Sequence, residues 1–346
     1  MIVHIFNQTP HHYLPMRKFF ADVGKGADFQ QVFWAWSAPQ QTLEEGFVYF
    51  KNAKELLMKM RQMPDTARFI FHGMFDRSVW PRLFFSILPE RCSWVCWGAD
   101  LYEHMAADKT IPRRIAHIFH KALITRFLNV FALNDGDGEL MYKFICKRQV
   151  ITLPYPLIGS NAKPNKRKEK LILVGNSANP SNEHFEALKS LSQFADEGIR
   201  VVVPLNYGGA PDYVQKVCDL GRLLFGEKFH GITNMMTKED YDQLLADTDV
   251  TVFAHNRQQG LYVVYSMLKY GKKLYMRSDV SSFDSLRASG FRVFDIADIM
   301  DGCFADFISQ SEQSVNTNSE LMNNMYSEQA LLPRWREQLV YLSNQN

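Results

Sequence analysis

The run from Leu171 to His184, LILVGNSANPSNEH, decides how the chain is read. Four apolar residues lead into a Gly-Asn-Ser turn and then a helix start. A buried strand passes to a helix in this way in a parallel α/β sheet. Gly175 permits a backbone turn that a side chain would obstruct. Asn179 or Ser181 suits the cap of the next helix and Pro180 its first turn, while Phe185, Leu188 and Leu191 mark its buried face. Free N–H groups at such a helix start favour an anion such as phosphate. An ordinary capped connection has the same residues. No G-x-G-x-x-G pattern and no Walker lysine is present, so this stretch alone favours the ordinary connection.

The same alternation extends in both directions. Before it, IVHIF (2–6), QVFWAWS (31–37), ARFIFHG (67–73), the run opening at Cys92 and the one opening at Val130 read as strands. RKFFADV and AKELLMKMRQM (53–63) read as helices. After it, IRVVVPL (199–205), VTVFAH (250–255) and KKLYM (272–276) read as strands. Helical patterns fall at 182–196, 211–220, 238–247 and 259–270. Strands alternating with helices predict parallel sheets with helical crossovers. Residues 159–170, GSNAKPNKRKEK, are polar and basic with no apolar period, and read as a linker. The expected organisation is therefore an N-terminal domain 1–158, a linker 159–170 and a C-terminal domain 171–346, with a last helix able to pack back on the first domain. No internal repeat and no long low-complexity segment is evident.

A length of 346 residues fits two domains, and a net charge of +2 argues against a nucleic-acid binder by charge alone. The five cysteines, Cys92, Cys96, Cys146, Cys218 and Cys303, complete no zinc pattern and read as buried free thiols in a reducing compartment. The start MIVHIFNQTPHHY has no basic n-region or long apolar core, so no signal peptide is expected. No run approaches the roughly 20 apolar residues of a spanning helix, so any membrane association is expected at the surface.

In parallel sheets, ligands gather at the carboxyl ends of strands, and in a two-domain version the cleft between domains is the expected site. The polar residues ending strands carry the chemistry on this reading. After the strand at 250–255 come Asn256, Arg257, Gln258, Gln259 and Gly260, followed by an apolar helix. Arg257 offers a fixed positive fork for phosphate, Gln258 and Gln259 amides for ribose or base, and Gly260 a close backbone approach. A helix cap needs fewer polar residues than this. In the first half His72 is a candidate general base, and Asp100 and Glu103 are candidates for a base or for orienting sugar hydroxyls. Acidic residues at turns more often act as caps. Trp80, Trp94, Trp97 and Tyr102 can stack on sugars but at strand positions favour core packing. His11 and His12 follow the first strand, and no third metal ligand accompanies them. The segment 111–131, IPRRIAHIFHKALITRFLNVF, has Arg113, Arg114, Lys121 and Arg126 among apolar residues. It reads equally as a basic amphipathic helix lying on anionic lipid or as a core helix with a solvated face.

FHGMFDRSVW, WGADLYE, LILVGNSANPSNEHFEAL, VVVP with Tyr207 close behind, and RQQG resemble, in order, the 4-acetamido-4,6-dideoxy-galactosyltransferase family of enterobacterial common antigen synthesis. This is the TDP-N-acetylfucosamine:lipid II N-acetylfucosaminyltransferase family, glycosyltransferase family 56. The resemblance covers residues from about 69 to about 290. It implies a GT-B architecture, two Rossmann-like domains with parallel sheets facing a central cleft. It implies transfer of an acetamido-dideoxy sugar from a dTDP donor to an undecaprenyl-diphosphate-linked saccharide on the cytoplasmic face of the inner membrane. It implies no cofactor and no essential metal. By the resemblance, Gly175, Asn176, Ser177, Asn182, Glu183, His184, Tyr207, Arg257, Gln258, Gln259 and Gly260 belong to the donor side. His72, Asp100 and Glu103 would face the acceptor or the reacting bond. The continuation LYVVYSM after Gly260 departs from the smaller, Gly-rich one expected. That leaves open an O-antigen or capsule transferase using another nucleotide sugar. A non-catalytic saccharide-binding envelope protein and an epimerase-like sugar-nucleotide enzyme are the readings from other classes.

Overall fold

The computed structural model describes residues 1–37, 44–105 and 110–345, the side chains of Pro10 and His11 aside. The chain forms two compact units, Met1–Tyr155 with Glu328–Asn346, and Pro156–Ser327.

The first unit is built on β1 (Ile2–Phe6), β2 (Gln31–Trp36), β3 (Val48–Phe50), β4 (Arg68–His72), β5 (Cys92–Val95), β6 (Val130–Ala132) and β7 (Ile151–Thr152). They lie in the order β3-β2-β1-β4-β5-β6-β7. The second unit is built on β8 (Lys170–Val174), β9 (Ile199–Pro204), β10 (Phe229–Ile232), β11 (Val250–Phe253), β12 (Lys273–Met276) and β13 (Phe294–Asp295), ordered β10-β9-β8-β11-β12-β13. Every pairing is parallel. The central strands β1, β4 and β11 are buried from end to end and mostly apolar, because helices cover both faces. In each sheet the chain winds outward from its first strand, then returns to that strand's other side. The loops after β1 and β4, and after β8 and β11, therefore diverge and leave a crevice at the carboxyl ends.

One boundary differs from the expected ones, and the final helix takes the alternative place expected for it. The basic stretch 159–170 lies inside the second unit, because its polar groups find partners there. The Ser160 hydroxyl, 1% exposed, lies 2.7 Å from that of Ser266 and 3.1 Å from the Tyr262 hydroxyl. Asn165 donates to both carboxylate oxygens of Asp247, which also pairs with Arg167. The final helix, Glu328–Ser343, belongs to the first unit. Trp335 anchors it: the indole is fully buried, donates to the Pro154 carbonyl at 3.0 Å, stacks parallel to Tyr155 and meets Phe20 edge-on. Arg336 adds hydrogen bonds to the Val23 and Lys25 carbonyls, which close the end of the helix Pro10–Val23.

Four cysteines are buried free thiols. Cys303 is exposed, since it starts the short surface helix Phe304–Ile308 and meets the Asp306 carboxylate. The segment 111–131 is not one helix. It is helical over Ile111–Ile124, then turns so that Val130 and Phe131 enter β6.

Replacing Trp335 with Ala removes a fully buried indole, and is expected to destabilise the first unit by about 3–5 kcal/mol. Val340→Ala, on the exposed side of the same helix, should stay within about 0.5 kcal/mol. Urea unfolding followed by circular dichroism compares the two; equal midpoints would show that the helix is not part of the first core.

Candidate active site

In the second unit the loops after β8 and β11 meet. Gly175 leaves β8 at φ +68, its N–H bonded to the Val252 carbonyl of the neighbouring strand. A Cβ there would lie 2.8 Å from Asn182 Oδ1 and 2.9 Å from His184 Nε2, so both conformation and space demand glycine. The fully buried Asn182 amide pins the turn. Its oxygen accepts from Asn176 N at 2.9 Å, and its nitrogen donates to Ser177 Oγ at 3.2 Å and Asn179 O at 3.0 Å. Asn179 caps only the short turn Pro180–Asn182. The helix proper, His184–Leu191, starts two residues later behind Glu183, which has left-handed backbone angles and provides no side-chain cap. A non-glycine residue held in that region stores strain, which concentrates at functional sites.

The β11 loop is tied to this turn. Asn256 N donates to the Ser181 carbonyl, and Asn256 Nδ2 to Glu183 Oε1 at 2.9 Å. Ser181 Oγ donates to Gln259 Oε1 at 2.9 Å. Gly260, at φ +67, caps the helix Leu261–Lys269 and packs so close to Asn176 that a Cβ would touch its amide. Asn176 Nδ2 donates to the hydroxyl of Tyr207, which follows β9 and is half exposed. Arg257 is half-buried beside them, with Gln258 buried. The structure thus brings together all eleven donor-side residues expected from the sequence.

Three buried polar atoms here have no hydrogen-bond partner: Asn176 Oδ1, Gln258 Oε1 and Gln259 Nε2. Leaving one such group unsatisfied costs about 1–3 kcal/mol, so a cluster of them marks a place for a polar ligand. Burial pushes the His184 pKa down to about 4, and its Nδ1 lies 2.9 Å from the Tyr213 hydroxyl. Burial, with His184 and Arg257 nearby, holds His255 well below its usual range. Both imidazoles are therefore neutral at pH 7 and each can present an N–H or a lone pair. Sequence reasoning carried neither His255 nor Arg277 as a site residue, and named Asn256 in the loop without giving it a role. Arg277, one residue past β12, pairs with Glu186 in the first turn of the helix His184–Leu191 and with Asp279. The signal available was position alone, since each follows a strand end. A separate cavity of about 590 Å³, lined by Phe283, Arg287, Phe294 and Asp295 among others, contains none of the expected residues.

The first-unit candidates are placed differently from expectation. His72 is fully buried and both its nitrogens are engaged. Nε2 lies 3.0 Å from His4 Nδ1, and Nδ1 lies 2.6 Å from the Tyr155 hydroxyl. Burial, then the neighbouring His4 and His12, hold His72 well below its usual pKa, and burial brings His4 down to about 4. With both rings neutral, one set of tautomers satisfies every group. Trp97 donates to Tyr155, Tyr155 to His72, His72 to His4, and His4 to Gln31 Oε1. His72 is a core residue and not a base open to a substrate hydroxyl. Asp100 is also fully buried. It accepts from Met74 N, Trp94 Nε1, Trp97 N and Cys96 Sγ, and so fastens the loops after β4 and β5 to each other. Burial raises its pKa against those four bonds. Glu103 keeps some exposed surface and pairs with Arg77 and with Arg113 at 3.2 Å, with His117 at 3.8 Å. Trp80 and Trp94 are core residues. The side chain of His11 lies outside the described residues. Among the described residues no group of three or more His, Cys, Asp or Glu is placed to hold a metal ion.

The chain belongs to the glycosyl transferase group 56 family, 4-alpha-L-fucosyltransferase, whose model matches residues 1–302. Similar solved structures include sucrose-phosphate synthase from Thermosynechococcus elongatus, with a TM-score of 0.77 at 8% identity over 99% of each chain. A glycosyltransferase from Rickettsia africae is similar with a TM-score of 0.67 at 10% identity, over 100% of this chain and 99% of that one. WaaG, a glycosyltransferase of lipopolysaccharide biosynthesis, is similar with a TM-score of 0.65 at 10% identity over 100% of both. The two parallel-sheet units and these likenesses make the fold GT-B, and the family makes the protein a glycosyltransferase.

Burial of neutral histidines gives a pH signature. Below 6.5 the unfolded chain takes up protons that folded His4 and His184 refuse until about pH 4. The stability they supply is complete above 6.5 and is lost as pH falls toward 4, on the order of 3 kcal/mol for each. Thermal unfolding should be flat from pH 8 to 7 and fall steadily below 6.5. A midpoint unchanged between pH 7 and 5 would contradict the neutral assignment.

Proposed function

We propose, with membership of this glycosyltransferase family as the premise, that the protein transfers 4-acetamido-4,6-dideoxy-galactose from a dTDP donor to an undecaprenyl-diphosphate-linked saccharide in bacterial surface polysaccharide synthesis. The observation that carries the reading is the cluster of unpartnered buried polar atoms between the β8 and β11 loops. Two helices start on these loops, at His184 and Leu261, and Arg257 lies in the β11 loop near His255. Fixed dipoles and a fixed cation suit a diphosphate, and they stabilise it most when it carries the charge of a leaving group.

In the reaction the acceptor hydroxyl oxygen bonds to the sugar C1, the bond from C1 to the diphosphate oxygen breaks, and the acceptor proton passes to a base or solvent. Arg257 and the helix starts hold the departing dTDP. Neutral His184 and His255, with Gln258 and Gln259, hydrogen-bond the nucleotide or sugar. On the acceptor side Glu103, oriented by Arg77 and Arg113, is the candidate for binding sugar hydroxyls. His72 and Asp100 act at a distance, as positioning residues for the loops after β4 and β5. The family description names fucose, a 6-deoxy-galactose. The proposed sugar has the same skeleton with an acetamido group at C4. A water-soluble donor and a lipid-linked acceptor meet at a membrane surface, so this reading has the enzyme working peripherally on the cytoplasmic side of the inner membrane.

Calorimetry with dTDP, UDP and GDP, without added metal, tests the donor. dTDP should bind most tightly, and Arg257→Ala should weaken it by roughly ten- to a hundredfold with the melting curve unchanged. Preference for UDP or GDP would replace the donor and leave the reaction class. Binding of none of the three by the folded protein would overturn the reading in favour of a non-catalytic saccharide-binding protein.

A further inference from the structure

The first unit exposes an apolar strip that its own fold leaves uncovered. Ile111, Ile115 and Ile118 are 74%, 49% and 66% exposed, and their spacing puts them on one face of the helix Ile111–Ile124. Phe119, on the flank of that face, packs against Phe85, and both pack on Phe84. Phe85 and Ile87, just past the helix Val79–Phe84, are 74% and 80% exposed and continue the strip.

Its border is cationic. Arg114 and Lys121 are exposed on the same helix, and Arg82, with one guanidinium nitrogen donating to the Ser78 carbonyl, is exposed one turn before Phe85. Among the described residues no acidic side chain pairs with Arg114 or Lys121. Among the described residues, the nearby Glu103 pairs with Arg77 and Arg113, and Glu90 with Arg126. Arg126 is further held by the Phe84 and Ser86 carbonyls. His117 and His120 are buried beneath the helix. Arg113, Arg126 and these histidines are thus removed from the outer face, and the cations that remain are those beside the apolar strip.

We propose that this face, from Ile111, Ile115 and Ile118 across to Phe85 and Ile87, docks the protein on an anionic phospholipid bilayer. The apolar side chains enter the acyl boundary and Arg114, Lys121 and Arg82 meet headgroup phosphates. A second copy of the chain fits less well, because a two-fold contact would bring like cations together. No described helix is long and apolar enough to cross a membrane, so the contact is interfacial. The purpose of the contact rests on the reading of the acceptor as lipid-linked; the surface itself rests on exposure and charge.

The test is sedimentation of the full chain with vesicles of phosphatidylcholine alone or mixed with phosphatidylglycerol. The parent should bind the anionic vesicles. Phe85→Ser, Ile87→Ser and Ile118→Ser together should weaken this by at least roughly tenfold. Arg114→Gln with Lys121→Gln should weaken it by about tenfold or more and flatten its salt dependence. All these positions are exposed, and dTDP calorimetry and melting curves on the same variants should match the parent. A parent that binds vesicles but not dTDP supports the surface and overturns only the proposed donor. Equal binding by the triple variant, a parent left in the supernatant, or a parent dimer that buries the strip and ignores vesicles would overturn the proposal.

Discussion

The second unit depends on one buried amide. Asn182 has no exposed surface, and its three hydrogen bonds fold the loop after β8 back on itself. Everything at the crevice follows from that turn. Gly175 must lack a side chain because Asn182 Oδ1 and His184 Nε2 stand where a Cβ would be. Asn176 is turned toward Tyr207 and Gly260. Glu183 is left in the left-handed region, where Asn256 of the β11 loop holds its carboxylate. A side chain of the same size without the amide would break all three of these hydrogen bonds at once. The residue is as important to the shape of the site as any group that would touch a ligand.

The sheets were legible in the sequence where burial is complete. Strands covered on both faces read as continuous apolar runs, and each central strand announces itself in this way. The strands that sequence reasoning passed over are β3, β7, β10 and β13, the edges of the two sheets. They are short and half-buried, so they carry neither a long apolar run nor a clean alternation. The basic stretch at 159–170 was read by composition. Its contacts with Asp247 and Ser266 lie about a hundred residues away and leave no local trace.

The same limit explains the two halves of the candidate site. Donor-side residues cluster in sequence because two short loops build most of the crevice, so a local reading finds them. His72 and Asp100 look alike in sequence to catalytic groups, as polar residues at strand ends. What makes His72 structural is a pair of partners, His4 and Tyr155, 68 and 83 residues away. Asp100 is structural because it is enclosed by Trp94 and by the backbone at Met74 and Trp97. Polarity at a strand end marks a position near the ligand edge of a sheet. Whether the group faces the ligand or serves the frame is a tertiary fact.

The placement of the final helix governs the order in which the protein is completed during synthesis. The second unit is continuous in sequence, so all of its core has been made before Trp335 is added. The first unit is begun first and finished last. Until Trp335 arrives, Phe20, Tyr155 and the neighbourhood of His72 are a core without its lid, and the sheet beneath them waits as an apolar surface. A nascent chain therefore carries a finished second unit while the first is still open, and the helix Glu328–Ser343, made after that second unit, is the one that seals the first.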